Sequence, residues 1–219
     1  MTYQHRYLDG SPLHLPPGKV VCIGRNYLDH IRELNNAVPE TPILFIKPST
    51  ALTALDEPIR LPKNRGSCHH EVELAVLVGR QLRNAGPETT RQAVAGYGIA
   101  LDLTLRDLQN QSKQKGQPWE TAKAFDGACP LSPFLAPDAL PDPQATDLTL
   151  HVNGELRQQG NTRSMMLGIF ELIAHISTHF TLLPGDVVLT GTPAGVGPLQ
   201  AGDQLLLGLA GHRFAARVA

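Results

Sequence analysis

The sequence predicts a mixed α+β fold dominated by β-strands. Short apolar runs outnumber helical patterns and do not alternate with them regularly, which argues against a doubly wound parallel sheet. Gly and Pro are frequent, 20 and 18 among 219 residues, and cut the chain into many short elements and turns. No internal repeat is present, and the length fits a single domain, 1–219, large enough to bury a core without disulfide staples.

After a polar lead-in, KVVCIG (Lys19 to Gly24) reads as a short buried strand. Tyr27 and Ile31 fall at helical spacing within Asn26 to Leu34, so a short helix is expected there. PILFI (Pro42 to Ile46) reads as a strand closed by Lys47 and Pro48. His70 to Val78 alternates, with Val72, Leu74, Val76 and Val78 on one face and Glu71, Glu73, Ala75 and Leu77 on the other. Glu88 to Val94 looks helical, and GYGIALDLTL (Gly96 to Leu105) looks like one long strand. A polar helix is expected over Asp107 to Lys115, stopped by Gly116 with Pro118 beyond. Ala136 to Asp147 is rich in Pro and Asp and reads as a surface loop. Asp147 to Val152 is a strand, and Asn153-Gly154 after it is a strong hairpin signal. Leu167 to Phe180 carries Ile169, Leu172, Ile173 and Ile176 at helical spacing. From Pro184 onward, turns of the PGD, GTPAGVG and AGD type separate strands at Asp186 to Thr190, Gln204 to Leu209 and His212 to Val218.

Charge excludes some classes of function. Lys plus Arg count 19 against 20 Asp plus Glu, a net charge of −1, so no basic excess points to nucleic acid or to a membrane surface. Cys22, Cys68 and Cys129 are odd in number, widely spaced and without a C-x-x-C pair, which suits reduced thiols in a cytoplasmic protein. The N-terminus, Met1 to Gly10, has no apolar core of a signal peptide, and no run of about 18 apolar residues is long enough to span a bilayer.

The chemistry concentrates in carboxylates. On a strand, Glu71 and Glu73 share a face, with Cα atoms roughly 6.6 Å apart. Further along the same face lie Ala75 and Leu77, so the face enters the core and the two acids lose solvent. An unpartnered pair of that kind is costly, and a divalent cation resolves it. Asp102 is a third acid, alone inside an apolar strand. Three carboxylates without a thiol pair form a hard oxygen site, suited to Mg²⁺ or Mn²⁺ rather than Zn²⁺. The plainer alternative is a solvated sheet face for the two glutamates and an ion pair between Asp102 and Arg106. His69-His70-Glu71 hints at zinc, but H-E-x-x-H is absent, and the glycines of Gly191 to Gly197 lack a P-loop ending.

Six segments together resemble the fumarylacetoacetate hydrolase family. They are CIGRNYLDHIRE (Cys22 to Glu33), LFIKPST (Leu44 to Thr50), HHEVELAVLVG (His69 to Gly79), ALDLTLRDLQ (Ala100 to Gln109), GQPWETAKAFD (Gly116 to Asp126) and LTGTPAGVG (Leu189 to Gly197). They stand in the family's order over about 19–218, in the manner of its short members, the acylpyruvate hydrolases, oxaloacetate decarboxylases and oxaloacetate tautomerases. The resemblance implies a mixed β-roll, assembly as a homodimer, and Mg²⁺ (or Mn²⁺) held by Glu71, Glu73 and Asp102. It implies that Lys123 holds the substrate oxygen where negative charge develops, and that Arg25 and Arg106 offset the acids toward an anionic substrate. It makes His30 and Glu33 a dyad on a mobile lid, with Glu33 orienting an imidazole that activates water. Gln109 then orients water or substrate, and Thr192 with neighbouring backbone N–H groups receives the substrate carboxylate. Taken alone, each has a plainer reading: surface lysine for Lys123, solvated helix face for His30 and Glu33, exposed helix residue for Gln109, tight turn for Thr192. Tyr27 and Lys47 read as packing and scaffold.

The expected chemistry is an enolate of a small 2-oxo acid, with Mg²⁺ as Lewis acid. The same site supports C–C hydrolysis of an acylpyruvate, decarboxylation of oxaloacetate, or keto–enol exchange. The His30 and Glu33 pair tilts the expectation toward hydrolysis, with oxaloacetate tautomerisation or isomerisation of a 2-hydroxy-dienedioate as the alternative. A binding protein without catalysis is the remaining class.

Overall fold

The computed structural model describes residues 3–35 and 37–219. Met1 and Thr2 of the polar lead-in lie outside the described residues. The first half of the chain runs β1 (Val20–Gly24), α1 (Leu28–Glu33), β2 (Ile43–Lys47), β3 (Leu52–Ala54), β4 (Cys68–His70) and β5 (Val72–Val78). Next come α2 (Pro87–Gln92), β6 (Val94–Leu101), β7 (Thr104–Leu105), α3 (Arg106–Gln114), α4 (Glu120–Lys123) and β8 (Cys129–Leu131). The remainder is β9 (Asp147–Val152), β10 (Glu155–Asn161), α5 (Ile169–His179), β11 (Val187–Leu189), β12 (Gly197–Pro198), β13 (Gln204–Leu209) and β14 (His212–Arg217). Strands dominate, so the α+β class expected from the sequence stands.

Among the described residues, the largest sheet has seven strands in the order β2-β1-β11-β5-β6-β8-β3. Its pairs are antiparallel except β1 with β11 and β3 with β8, which makes the sheet mixed. A four-stranded antiparallel sheet, β10-β9-β13-β14, packs on it, and β12-β4-β7 form a third small sheet. In β9 and β13 buried and more open positions alternate, so Leu148, Leu150, Leu205, Leu207 and Leu209 enter the core from one face. The turn between β9 and β10 has Asn153 and Gly154 both at positive φ, 52° and 83°, as a tight hairpin requires. The apolar stripe of α5, Ile169, Leu172, Ile173 and Ile176, is fully covered.

β5 lies between β11 and β6 in the rolled sheet and is buried at every position, so the face that carries Glu73 enters the core as expected. Two expectations are corrected. The strand expected over His70 to Val78 breaks at Glu71, where β4 leaves for the small sheet and β5 joins the large one. The strand expected over Gly96 to Leu105 ends at Leu101: Asp102 N–H donates to Glu71 O (2.8 Å) and Leu103 N–H to Ala128 O (3.0 Å). Both breaks fall at acids, and together they open the sheet where the acids sit.

His5 makes the fold sensitive to acid. It is fully buried, edge-on to Phe134, with Nε2 3.0 Å from Gly185 O. Burial pushes its pKa below the usual 6.5, against a smaller opposing effect of the Gly185 carbonyl. Between that depressed value and 6.5 the folded chain binds fewer protons than the unfolded chain, so stability falls as pH drops through the window. The melting temperature is expected to be lower at pH 5.5 than at pH 7.5, and His5→Gln to narrow that difference.

Candidate active site

The two strand breaks bring the acids together. In the β5–β6 ladder Val72 faces Leu101 and Glu73 faces Ala100, so Asp102 comes to lie beside Glu71. One carboxylate oxygen from each of Glu71, Glu73 and Asp102 lies within 4.8 Å of the others. Their residues are 5%, 1% and 1% exposed. The solvated-face alternative for the glutamates therefore falls.

Cations surround the acids. Lys123 Nζ, on α4, donates to Glu71 Oε2 (2.8 Å) and Asp102 Oδ2 (2.7 Å). Arg106, at the start of α3, pairs with Glu71 Oε1. Asp102 does not pair with Arg106; its partners are Lys123 and Lys47, because Glu71 stands between it and α3 in the network. Lys47 is wholly buried and donates to the carbonyls of Lys123 and Ala128, which bears out its reading as scaffold. Its Nζ lies 2.8 Å from Asp102 Oδ1, an ion pair whose angles fall outside hydrogen-bond geometry.

The electrostatics separate the glutamates. Burial pushes Glu71 up, but Lys123 and Arg106 outweigh it and hold this carboxyl below the usual range. For Glu73, burial is reinforced by Asp102 and Glu71 and pushes the carboxyl well above the usual range. Lys123 is raised: burial opposes its charge, but Asp102 and Glu71 more than compensate. The hydrogen bond from Gly191 N–H to Glu73 Oε2 (2.6 Å) is made at a turn where Gly191 has φ 95°, a conformation suited to glycine.

Of the remaining sites expected from sequence, Arg25, His30, Gln109 and Thr192 converge on the same cavity, while Glu33 is exposed beside it. Ile23, Arg25, His30, Phe45, Gln109 and Thr192 line it with the three acids, Arg106 and Lys123. His30 and Glu33 share one side of α1, with His30 Nδ1 3.1 Å from Glu33 Oε2. Glu33 Oε1 accepts from Gly195 N–H (2.9 Å), so the carboxylate is tied at both ends and favours a proton on His30 Nδ1. Gln109 is buried and its Oε1 accepts from Arg106 (2.6 Å). Lys123, His30 and Gln109 are thus not the solvated residues of their plainer readings. Arg25 follows β1 with φ 63°, an unusual conformation for a non-glycine residue, and reaches the Ala37 carbonyl (3.2 Å).

Thr192 differs from expectation in detail. Its hydroxyl donates to Val72 O (2.9 Å) and accepts from Gln158 Nε2 (2.8 Å), so its proton is already committed. A carboxylate would meet backbone N–H rather than this hydroxyl. Gln158 lies in the hairpin run LRQQGN, where its immediate neighbours Arg157 and Gln159 are polar and give no sign of burial. A bulge between Leu156 and Gln158 turns it inward, fully buried. Its Oε1 lies 2.9 Å from His70 Nδ1 and accepts from Val72 N–H (3.0 Å), while Nε2 also donates to Pro193 O (2.9 Å). Gln158→Ala is expected to cost about 1–3 kcal/mol for each buried partner left unpaired, read as a lower denaturation midpoint.

The donor set fits a divalent cation. Among the described residues, three buried carboxylates converge, Asp102 Oδ1 has no hydrogen bond, and no thiol or imidazole shares the cluster. Such oxygens suit Mg²⁺ or Mn²⁺.

Residues 19–218 match the family model for the C-terminal part of fumarylacetoacetate (FAA) hydrolase. The chain belongs to the fumarylacetoacetate hydrolase family. Oxaloacetate tautomerase YcgM of Escherichia coli (strain K12) is 58% identical over 217 residues, 99% of each chain. A crystal structure of a fumarylacetoacetate hydrolase family protein from Yersinia pestis CO92 superposes with a TM-score of 0.98 at 52% identity, covering 99% of this chain and 100% of that one. Fumarylpyruvate hydrolase from Pseudomonas aeruginosa, solved with Mn²⁺ and pyruvate, has a TM-score of 0.93 at 32% identity, covering 100% of this chain and 96% of that one. The β-roll expected from the family resemblance therefore stands, and the chain is an enzyme of this family. No helix among the described residues is long and apolar enough to cross a membrane.

Proposed function

We propose that the protein interconverts the enol and keto forms of oxaloacetate, with Mg²⁺ or Mn²⁺ held by Glu71, Glu73 and Asp102. The observation that carries this reading is the union of a buried three-carboxylate cluster with 58% identity, over nearly the whole chain, to an oxaloacetate tautomerase. The preference for hydrolysis drawn from the His30 and Glu33 pair yields to this alternative. The fumarylpyruvate hydrolase is a more distant relative, at 32%.

When bound, the cation would supply Lewis acidity to the 2-oxo group and its neighbouring carboxylate. The chain's own groups do the rest. Lys123 places a fixed positive charge where the enolate oxygen gathers negative charge. Glu33 keeps the proton on His30 Nδ1, which leaves Nε2 to give a proton to C3 of the enolate or take one from it. Going from enol to keto, the hydroxyl proton leaves to water while His30, protonated on both nitrogens, delivers its Nε2 proton to C3 and then regains one from water, so no bond between heavy atoms changes. Gln109, fixed by Arg106, orients the substrate, and Arg25 adds positive charge at the cavity wall.

Hydrolysis of an acylpyruvate is the second reading, favoured by the same dyad, since a base that takes a proton from carbon can also take one from water. The two are separated by following, on one preparation, the decay of oxaloacetate enol absorbance and the release of pyruvate from acetylpyruvate, each with Mg²⁺ and with EDTA. EDTA-sensitive enol decay far faster than pyruvate release is expected. Dominant pyruvate release would move the assignment to the hydrolase.

A further inference from the structure

One cation in the cavity has no part in the chemistry described so far. Lys113 lies on α3 seven residues after Arg106 and four after Gln109, so the three share one helix face, and all three line the cavity. Helical side chains tilt toward the helix N-terminus, which leans Lys113 back toward Gln109 and Arg106. Its Nζ lies 5.4 Å from the centroid of the Trp119 ring, part of the same wall. Arg106, Lys123 and Lys47 are each matched to an acid of the cluster. Among the described residues Lys113 has no carboxylate at ion-pair distance. Burial, then Arg106 and Arg25, push its pKa down to about 8. A half-buried ammonium held among like charges without an anion costs stability, and an anionic ligand offsets that cost.

We propose that Lys113, seated on Trp119 in the wall that also carries Arg25, binds the second carboxylate of a 2-oxo dicarboxylate and makes the site selective for dianionic over monoanionic 2-oxo acids. The proposal rests on the reading of this cavity as a 2-oxo acid site. It explains the charge balance, because Lys47, Lys123 and Arg106, paired with Glu71 and Asp102, already equal the three acids in number. A divalent cation would leave the cavity positive before Arg25 and Lys113 are counted. A substrate with one carboxylate leaves Lys113 unmatched; one with two does not.

The test compares the Mg²⁺-loaded wild type with Lys113→Met, which keeps the apolar stem, and Lys113→Arg, which keeps the charge. Calorimetry gives the affinities for oxaloacetate and for pyruvate, and enol decay gives kcat and KM. A charge-assisted contact corresponds to about ten-fold or more in affinity. Lys113→Met is therefore expected to lower the oxaloacetate-to-pyruvate affinity ratio about ten-fold, with the loss in KM rather than kcat, and Lys113→Arg to restore most of it. Lys113→Met is also expected to melt no lower than wild type, since it removes an uncompensated charge. Lys113→Gln replaces it in the comparison if Lys113→Met does not fold. An affinity ratio unchanged by loss of the charge, or lost equally in Lys113→Arg, overturns the proposal. A wild type that prefers oxaloacetate through Lys113 yet exchanges no enol would refute the proposed reaction and leave this assignment standing.

Discussion

His30→Ala is expected to lower kcat for enol–keto exchange by about 10²–10⁴, the usual contribution of a positioned acid–base group. Divalent-cation affinity should hardly change, because His30 belongs to α1 and none of the three clustered carboxylates does. Glu33→Gln should give a smaller loss in kcat. The amide can still accept from Gly195 N–H, but it no longer offers a charged partner to His30 Nδ1. A rate for His30→Ala within two-fold of wild type would remove His30 from the proton transfer and shift attention to Lys123 as proton carrier.

The second large effect concerns Glu73. Its residue is 1% exposed and its hydrogen bond comes from Gly191 N–H rather than from a cation, so of the three acids it is the one without an ion pair. Burial, with Asp102 and Glu71, raises its carboxyl above the usual range, so a divalent cation bound there competes with a proton. Glu73→Gln should therefore fold but bind Mg²⁺ and Mn²⁺ at least about 10–100-fold more weakly, with exchange activity falling in step. Titration calorimetry on both proteins reads this directly. Unaltered cation affinity in Glu73→Gln would exclude it as a ligand.

Much of this molecule was legible in the sequence. Turn residues bounded β13, Asn153-Gly154 marked the hairpin after β9, and helical spacing marked α5, whose apolar stripe is buried. Period-2 spacing also puts Glu71 and Glu73 side by side. It failed to place the breaks at Glu71 and Asp102, since nothing local distinguishes an acid within a strand from one that ends it; the exchange of Asp102 N–H with Glu71 O decides, and it is tertiary. The short strands β3, β8 and β12 gave no periodic signal at two or three residues each. Lys47 read as scaffold and is so, although its place against Asp102 could not be inferred from LFIKPST alone. Gln158 was invisible because a bulge, not hydrophobicity, turns it inward. Lys113 is legible only together with Arg106 and Gln109, with which it repeats at the spacing of one helix face.

The most direct measurement is deuterium delivery to C3. Oxaloacetate enol would be converted in D₂O by the Mg²⁺-loaded enzyme and trapped at once as malate with malate dehydrogenase and NADH. Deuterium at a single prochiral position of C3, formed faster than in the enzyme-free control and lost in His30→Ala, is the expected result. Deuterium spread equally over both positions at the enzyme-free rate would contradict proton transfer by this site.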